Sequence, residues 1–164
     1  MNILITRPLM DAEDLMEKLF DCGHKIIHLP TLKISTIETE IVDPDKFDAF
    51  IFTSANAVRN LKLSNTNKSL HCFCVGSITE KIARQSGFVN TSSAGGTVNA
   101  LKNLIMISNK VSESSNLAYF CGDNISYDLD LELKNEGLKI KKIINYSSKA
   151  ITNLNDENKK LIEN

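Results

Sequence analysis

The sequence predicts an α/β fold in which mainly parallel sheets are covered by helices on both faces. Apolar strand-like runs alternate with helical patterns along the chain, and this alternation builds parallel sheets. Right-handed crossovers place the carboxyl ends of such strands on one edge of the sheet, where ligands bind. Five junctions of small polar residues, each before a helical pattern, are expected at such an edge: Ile3–Pro8, Ala49–Val58, Cys72–Thr79, Ser92–Thr97 and Leu117–Asn124.

The first elements form a strand–helix–strand unit. Asn2–Thr6 predicts a buried strand, and an apolar stripe then predicts a helix that stops at Gly23. The stripe consists of Ala12, Leu15, Met16, Leu19 and Phe20. Lys25–Leu29 predicts a second strand. Thr31–Val42 is extended and alternating, which fits either an edge strand or a linker between domains.

A second series of strands and helices follows. The predicted strands are Phe50–Thr53, Leu70–Val75, Leu117–Cys121 and Leu138–Tyr146. Helices are predicted over Ala55–Leu63 and Ile78–Ser86, after Gly95-Gly96-Thr97, and from Leu154–Asn164. Ser77 with Glu80 three residues later matches a capping box, so we expect that pair to cap the helix that begins there.

The segment Asp128–Leu133 fits two periodicities. Its leucines alternate as in a strand, but Ile125, Leu129 and Leu133 also share the i, i+4 spacing of a helix face. Acidic residues crowd the first turns, and Asn135-Glu136-Gly137 is a typical helix end. The helix is therefore the preferred interpretation.

Composition limits the function classes. The chain has 164 residues, 42% apolar and 24% charged, as in a globular protein. A formal net charge of −1 argues against a nucleic-acid partner, which requires a basic surplus. No apolar run approaches the roughly 20 residues that span a bilayer, and the N-terminus lacks the features of a signal peptide. We therefore expect neither a nucleic-acid nor a membrane partner.

The cysteines predict a reducing compartment. Cys22, Cys72, Cys74 and Cys121 lack the spacing of a metal site, and the three histidines do not complete a ligand set. They are interpreted as small buried hydrophobic residues of a cytoplasmic protein, with Cys72 and Cys74 on one strand face.

Candidate binding residues lie at the strand–helix junctions, and each has a structural alternative. Thr53, Ser54 and Asn56 follow one strand, where capping the helix is the more common role of such side chains. Thr79 fits a cap or a cleft residue equally well. Arg7 is the only cation at a junction, and either contacts a ligand carboxylate or lies on the surface.

Two glycines and one tyrosine complete the candidate set. Gly76 and Gly122 allow either a sharp turn or the close approach of a ligand. Tyr146 ends a strand, where its phenol is placed to donate a proton or simply to pack on the sheet edge. Neither a catalytic triad, a P-loop nor the dinucleotide-binding glycine pattern is visible.

Taken in order, these segments resemble the uroporphyrinogen-III synthase family. The resemblance extends over nearly the whole chain, and the order and spacing of the motifs make it specific. The matching stretches are ILITRP, HLPTLKI, FDAFIFTSANAV, CVGSITEKIARQSGF, SAGGTVNAL and YFCGDNISYDLDLELKNEGLKIKKIINYSS.

The resemblance implies two parallel-sheet, three-layer α/β domains of the HemD-like, flavodoxin-like type. The first domain is discontinuous, comprising residues 1–36 and 149–164, and the second, residues 37–148, is inserted into it. Thr31–Val42 and Tyr146–Asn153 are then the two connections. The implied activity is closure of hydroxymethylbilane, a linear tetrapyrrole, to uroporphyrinogen III with inversion of ring D and loss of water. No cofactor or metal is implied.

The family also implies roles for individual residues. Tyr146 is expected to assist departure of the substrate hydroxyl, and Thr79 to lie in the cleft. Substrate carboxylates are expected to contact the remaining candidates, largely through main-chain groups: Arg7, Thr53, Ser54, Asn56, Gly76 and Gly122.

The chain departs from the family in length, because it ends where a longer first domain would continue. We therefore expect an incomplete first domain. Family members are monomers, but two short copies could complete each other by edge pairing or domain swapping. The other possibilities are a shortened synthase that is inactive alone, and a non-catalytic α/β module that binds a polyanionic small molecule.

Overall fold

Eight strands and five α-helices alternate along residues 1–153, the part of the chain that the computed structural model describes. The strands are Asn2–Ile5 (β1), Lys25–His28 (β2), Leu32–Thr36 (β3), Ala49–Phe52 (β4), His71–Cys74 (β5), Asn90–Ser93 (β6), Asn116–Gly122 (β7) and Lys139–Ala150 (β8). The helices are Leu9–Asp21 (α1), Ala55–Arg59 (α2), Ser77–Gln85 (α3), Val98–Met106 (α4) and Leu129–Asn135 (α5). The predicted helix at Leu154–Asn164 lies outside the described residues.

The chain divides into two units. The larger unit is Thr36–Ser147, and the smaller unit combines Met1–Ser35 with the chain from Ser148 onward. The α/β class with parallel sheets is confirmed. The assignment of the smaller unit as an incomplete, discontinuous domain stays a prediction.

The larger unit is built around a sheet with β4 at its centre. Within this unit the strand order is β8-β7-β4-β5-β6, and all four neighbouring pairs are parallel. From β4 the chain moves outward to β5 and β6, then returns to the other side of β4 for β7 and β8. The order thus reverses between β4 and β7, and their carboxyl ends form a topological switch point.

Two hydrophobic layers cover the faces of this sheet. Phe50, Phe52 and Phe120 pack with side chains of α2 and α3 on one face. On the other face, Ile51 and Tyr119 pack with side chains of α4 and α5. Because adjacent strand residues point to opposite faces, β4 is buried on both sides, as parallel strands between helices require.

The smaller unit contains a short parallel pair of strands. β1 pairs with β2 from Asn2 opposite Lys25 to Ile5 opposite His28. Only three apolar residues of its described part are buried, namely Ile5, Ala12 and Leu29. The predicted helix is confirmed as α1, and within its apolar stripe Ala12 is buried while Met16 and Leu19 are half-buried. Phe20 is 71% exposed and Leu15 42% exposed.

The predicted capping box at α3 is wrong. The helix begins at Ser77 with Gly76 as its N-cap, so Ser77 is already the first helical residue and not the capping residue. Glu80 instead accepts hydrogen bonds from Arg84 at 2.9 Å and from the Thr91 hydroxyl at 2.7 Å. No side chain caps the N–H groups at the start of α3.

Other elements follow the predictions closely. The helical interpretation of Asp128–Leu133 is confirmed, because α5 begins at Leu129 with Asp128 as its N-cap. Thr31–Val42 contains β3, so its first part is an edge strand. α2 is shorter than predicted, because it ends at Arg59. Within residues 1–153, none of the helices has the length and apolar character needed to cross a membrane.

The cysteines differ in their surroundings. Cys72, Cys74 and Cys121 are buried, and Cys72 shares one sheet face with Cys74 as predicted, whereas Cys22 is exposed at the end of α1. Burial raises the pKa of the Cys74 thiol to about 12 and that of Cys121 to about 11. Burial also raises the pKa of Cys72.

These differences predict the thiol reactivity of the folded chain. Near neutral pH the buried thiols lack both solvent access and thiolate character, so a thiol-specific dye should label Cys22 quickly and the other three only after unfolding. The replacement Cys22→Ser should abolish the fast phase. A second rapidly labelled thiol in that variant contradicts the burial of the strand cysteines.

Candidate functional site

A hollow of about 150 Å³ opens at the carboxyl ends of β4 and β7, at the switch point of the sheet and beside Tyr146 of β8. We call it the switch-point hollow. Its lining includes Thr53, Tyr119, Gly122, Asn124, Tyr127 and Tyr146. All three tyrosines of the chain therefore lie around one hollow. Three of the predicted site residues, Thr53, Gly122 and Tyr146, meet here.

Tyr146 reaches this hollow because β8 is irregular. The β7–β8 register pairs Cys121 with Ile144 but Gly122 with Tyr146, so one extra residue, Asn145, is inserted in β8. Such a bulge redirects the side chains that follow it. Ile143 and Tyr146 consequently both contact the hydrophobic layer on the α2/α3 face. The Asn145 side chain donates a hydrogen bond to the Ala57 carbonyl at 2.7 Å, which anchors the bulge against α2.

Thr53 and Tyr119 form a hydroxyl pair in the wall of the same hollow. The Thr53 hydroxyl lies 3.2 Å from the Tyr119 phenol oxygen. Tyr119 is almost fully buried, and this burial raises the pKa of its phenol, which therefore stays protonated over the physiological range. Together the two side chains place neutral hydroxyl groups beside the end of β4.

A second hollow, of about 340 Å³, lies in front of α3. We call it the α3 hollow. It is lined by Gly76, Ser77, Thr79, Ser93, Gly95 and Gly96. Gly95 and Gly96 adopt positive φ values of 79° and 111°, which residues with a side chain rarely adopt. Two more of the predicted site residues, Gly76 and Thr79, therefore lie together here.

The α3 hollow has the features of an anion site. The uncapped N–H groups of α3 and the positive end of its dipole are oriented toward this side of the helix. Thr79 is 95% buried, lines the hollow and lies in the first turn of α3. By contrast, Thr97 caps α4 with its side chain and Ser54 caps α2. Among these three helix starts, α3 is the one left open.

Ser54 has the capping role that the sequence favoured. The Ser54 hydroxyl accepts a hydrogen bond from the Asn56 N–H at 3.1 Å, which caps α2. The Asn56 side-chain oxygen accepts a hydrogen bond from Arg59 at 2.9 Å. Neither residue lines the two hollows.

Arg7 belongs to the smaller unit. It is exposed after β1, and its carbonyl oxygen accepts a hydrogen bond from the His28 ring at 2.9 Å. The other seven predicted site residues all belong to the larger unit.

The lining of both hollows carries no carboxylate and no lysine or arginine. Nearby, Asp130 of α5 is paired with two lysines, one on α5 and one on β8. Lys142 lies 3.1 Å from one oxygen of Asp130, and Lys134 lies 3.3 Å from the other. Although burial opposes ionisation of Asp130, hydrogen bonds from Lys142 and Lys134 hold its pKa below the usual range. No group of side chains among residues 1–153 has the composition of a metal site.

Sequence patterns singled out neither Tyr119, Asn124 and Tyr127 of the lining nor Asn145, whose insertion brings Tyr146 to the hollow. Tyr119 lies in the middle of a buried apolar run, so its periodicity indicates a core residue and gives no sign of the hydroxyl partner. Asn145 shows no pattern of its own, although a polar residue within an otherwise apolar strand end is a weak signal of a bulge.

The hydroxyl pair makes a prediction about stability. Replacing Thr53 by Val removes the partner of a buried phenol and should lower the free energy of unfolding by about 1 kcal/mol relative to Thr53→Ser, which keeps the hydroxyl. Denaturant unfolding measures the difference. In a Tyr119→Phe background, Thr53→Val should change the free energy of unfolding little. Equal losses of unfolding free energy in both backgrounds would show that the two hydroxyl groups are not coupled.

Comparisons with known proteins identify a family for this chain. The family model of uroporphyrinogen-III synthase HemD matches residues 13–164. A comparison with curated proteins found no significant match.

Solved structures show the same fold. The crystal structure of uroporphyrinogen-III synthetase from Helicobacter pylori is 21% identical with a TM-score of 0.59, over 84% of this chain and 61% of that chain. A mutant uroporphyrinogen III synthase from Thermus thermophilus is 14% identical with a TM-score of 0.55, over 92% of this chain and 63% of that chain. This chain thus spans less than two thirds of the length of either protein. Because the family model covers nearly all of it, the chain belongs to the uroporphyrinogen-III synthase HemD family.

Proposed function

We propose that this chain acts as a uroporphyrinogen-III synthase. In this reaction hydroxymethylbilane is closed to uroporphyrinogen III, ring D is inverted and water is lost. The observation that carries the proposal is the arrangement of the sheet edge, where a hollow lined by three tyrosines lies at the switch point and an open helix start lies near the end of β5. Family membership supports the same reaction class.

The α3 hollow is the proposed seat of a substrate carboxylate. Main-chain N–H groups at an uncapped helix start, together with the Thr79 hydroxyl, donate hydrogen bonds without adding a fixed positive charge. Such donors suit a substrate with many carboxylates, because each acid group requires only a local set of donors. Arg7 is the proposed contact of the smaller unit with a further carboxylate.

The switch-point hollow is too small to enclose a whole linear tetrapyrrole. A pocket that buries a drug-sized ligand measures about 300–1,000 Å³, and the switch-point hollow measures about 150 Å³. The proposed substrate therefore lies along the open strand edge, with single groups inserted in each hollow. This arrangement suits a reaction in which the protein mainly holds a flexible chain in the folded shape that leads to ring closure.

Tyr146 is the proposed proton donor. Its phenol donates a proton to the substrate hydroxyl, which leaves as water while electrons from the pyrrole nitrogen form the azafulvene. Attack by the substituted carbon of ring D forms a spiro intermediate. The bond from that carbon to the bridging carbon of ring C then breaks and leaves a second azafulvene. The unsubstituted α-carbon of ring D attacks this bridging carbon, which closes the macrocycle with ring D inverted. Ring closure releases a proton from the attacking carbon of ring D. This proton returns to the Tyr146 phenolate and regenerates the phenol.

The direct test follows the isomer that is formed. The purified chain should convert hydroxymethylbilane to the type III isomer, whereas spontaneous closure gives type I. The replacement Tyr146→Phe should lower the rate of type III formation by about 100-fold, within the range typical of general acid catalysis, while circular dichroism stays unchanged.

Two outcomes contradict the proposal at different levels. If the chain yields only type I isomer at every concentration, the synthase proposal fails, and binding of a polycarboxylate without turnover would support the alternative of a non-catalytic module. If the chain is active but Tyr146→Phe is equally active, only the role of Tyr146 fails. Tyr127→Phe, a matched change in the same hollow, then identifies whether another phenol is the donor.

We also propose that two copies pair through the smaller unit. Its two-stranded sheet has one unpaired edge on each strand among the described residues, and such pairs are only marginally stable in water. Leu4 on β1 and Phe20 on α1 are large apolar side chains left exposed. Covering them with a second copy removes apolar surface from water.

Sedimentation equilibrium tests this pairing. The wild-type chain should form a dimer of twice its 18.2 kDa mass, and Phe20→Glu should shift the equilibrium toward the monomer. The matched change Glu13→Gln on the same helix should leave the association unchanged. A strict monomer at all concentrations contradicts the pairing and leaves the monomer that the family resemblance implies. The proposed location is the cytoplasm, in keeping with four free thiols.

A further inference from the structure

Gly122 lies directly beneath the phenol ring of Tyr146. A Cβ atom built on Gly122 would lie 2.7 Å from Cζ of Tyr146, 2.8 Å from Cε2 and 3.0 Å from the phenol oxygen. The first two distances are shorter than any real contact of a Cβ atom. The phenol end of the ring therefore occupies the space that a side chain at position 122 would fill.

The backbone at Gly122 does not itself require glycine. Its φ is outside the positive range that the other glycines of loops and turns adopt, such as Gly95 and Gly96. An alanine could adopt the same backbone conformation without strain. The only requirement for glycine at this strand end is the space taken by the Tyr146 ring.

The β8 bulge determines which side of the sheet the ring occupies. The inserted Asn145 brings Tyr146 opposite Gly122 in the register, and the Asp123 N–H donates a hydrogen bond to the Tyr146 carbonyl at 3.1 Å. The Ser147 hydroxyl donates to the Asp123 carboxylate at 2.6 Å. These two bonds hold Tyr146 and Ser147 against Asp123, the residue that follows β7.

We propose that Gly122 is a positioning residue, which holds the Tyr146 phenol in the switch-point hollow by leaving room for it, and that it has no direct contact with substrate. This inference rests on the proposed function for the catalytic consequence, but the placement of the ring is independent of it. A side chain at position 122 pushes the phenol away from its present site, while the fold of the strand is retained.

The first test observes the ring without any substrate. In the full chain carrying ¹³C-labelled tyrosine, the Tyr146 ring signals are assigned with Tyr146→Phe. Gly122→Ala should shift these signals. Gly76→Ala is the matched control, since a Cβ there would lie 3.4 Å from Gly96 Cα and meets no tyrosine. Unmoved Tyr146 signals in Gly122→Ala overturn the inference.

The second test separates positioning from substrate contact. Gly122→Ala should lower the rate constant for type III formation by about 100-fold, as Tyr146→Phe does. KM should change little, because the new methyl group displaces the Tyr146 ring and leaves the groups that bind the substrate carboxylates in place. In a Tyr146→Phe background, Gly122→Ala should reduce the rate no further. A full additional loss in that background would mean that Gly122 contacts substrate itself.

The two proposals fail in distinguishable ways. If the ring signals move but Tyr146→Phe keeps full activity, the role of Tyr146 as proton donor fails and the positioning of its ring stands. If Gly122→Ala does not fold, the double variant Gly122→Ala with Tyr146→Ala tests whether a clash with the Tyr146 ring is the cause. This variant removes the ring that the new methyl group would contact. Recovery of folding in the double variant supports the inference, and failure of both overturns it.

Discussion

The burial of β4 on both faces is the constraint on which the rest of the larger unit depends. All four residues of Ala49–Phe52 are completely buried, with β5 and β7 paired in parallel on either side. A shift of one residue in the pairing of this strand would exchange its two faces. The phenylalanines of β4 would then lie on the face that Ala49 and Ile51 now occupy. The register of β4 is therefore strongly determined, and it places Thr53 at the same edge as the ends of its neighbours.

This edge combines neutral donors instead of fixed charges. The switch-point hollow presents phenol and hydroxyl groups, and the α3 hollow presents main-chain N–H groups with the Thr79 hydroxyl. The lining of the two hollows thus offers hydrogen-bond donors without a lysine or arginine. The carboxylate and ammonium groups of α5 and β8 neutralise each other nearby, so their field at the edge is small.

The geometry around Tyr146 shows how an irregular strand produces a defined side-chain position. A regular β8 would point Tyr146 away from Ile143, but the inserted Asn145 brings both to the same face. Asn145 is itself buried and hydrogen-bonded to the Ala57 carbonyl. Because a buried amide is costly to leave without a partner, this bond favours one bulge position over others.

The sequence by itself determined the class of fold and the edge at which the candidate residues gather. Alternating strand and helix periodicities are local properties, so they predicted β4, β7 and the helical choice for Asp128–Leu133 correctly. Glycine and hydroxyl residues that follow strands are also a local signal, and they predicted that Gly76 and Thr79 lie at this edge. The choice of Tyr146 as the catalytic residue came from the family resemblance and stays a prediction, because no local pattern separates it from an edge tyrosine.

Only the tertiary structure decided how these residues are used. The capping box at Ser77 and Glu80 failed because a shift of one residue in the helix start gives Glu80 different partners, Arg84 and Thr91. The Thr53–Tyr119 pair joins two strands that are far apart in sequence. The space that Gly122 leaves for Tyr146 depends on a bulge in the neighbouring strand. Contacts of this kind arise from packing between different elements, and the periodicity of a single element does not encode them.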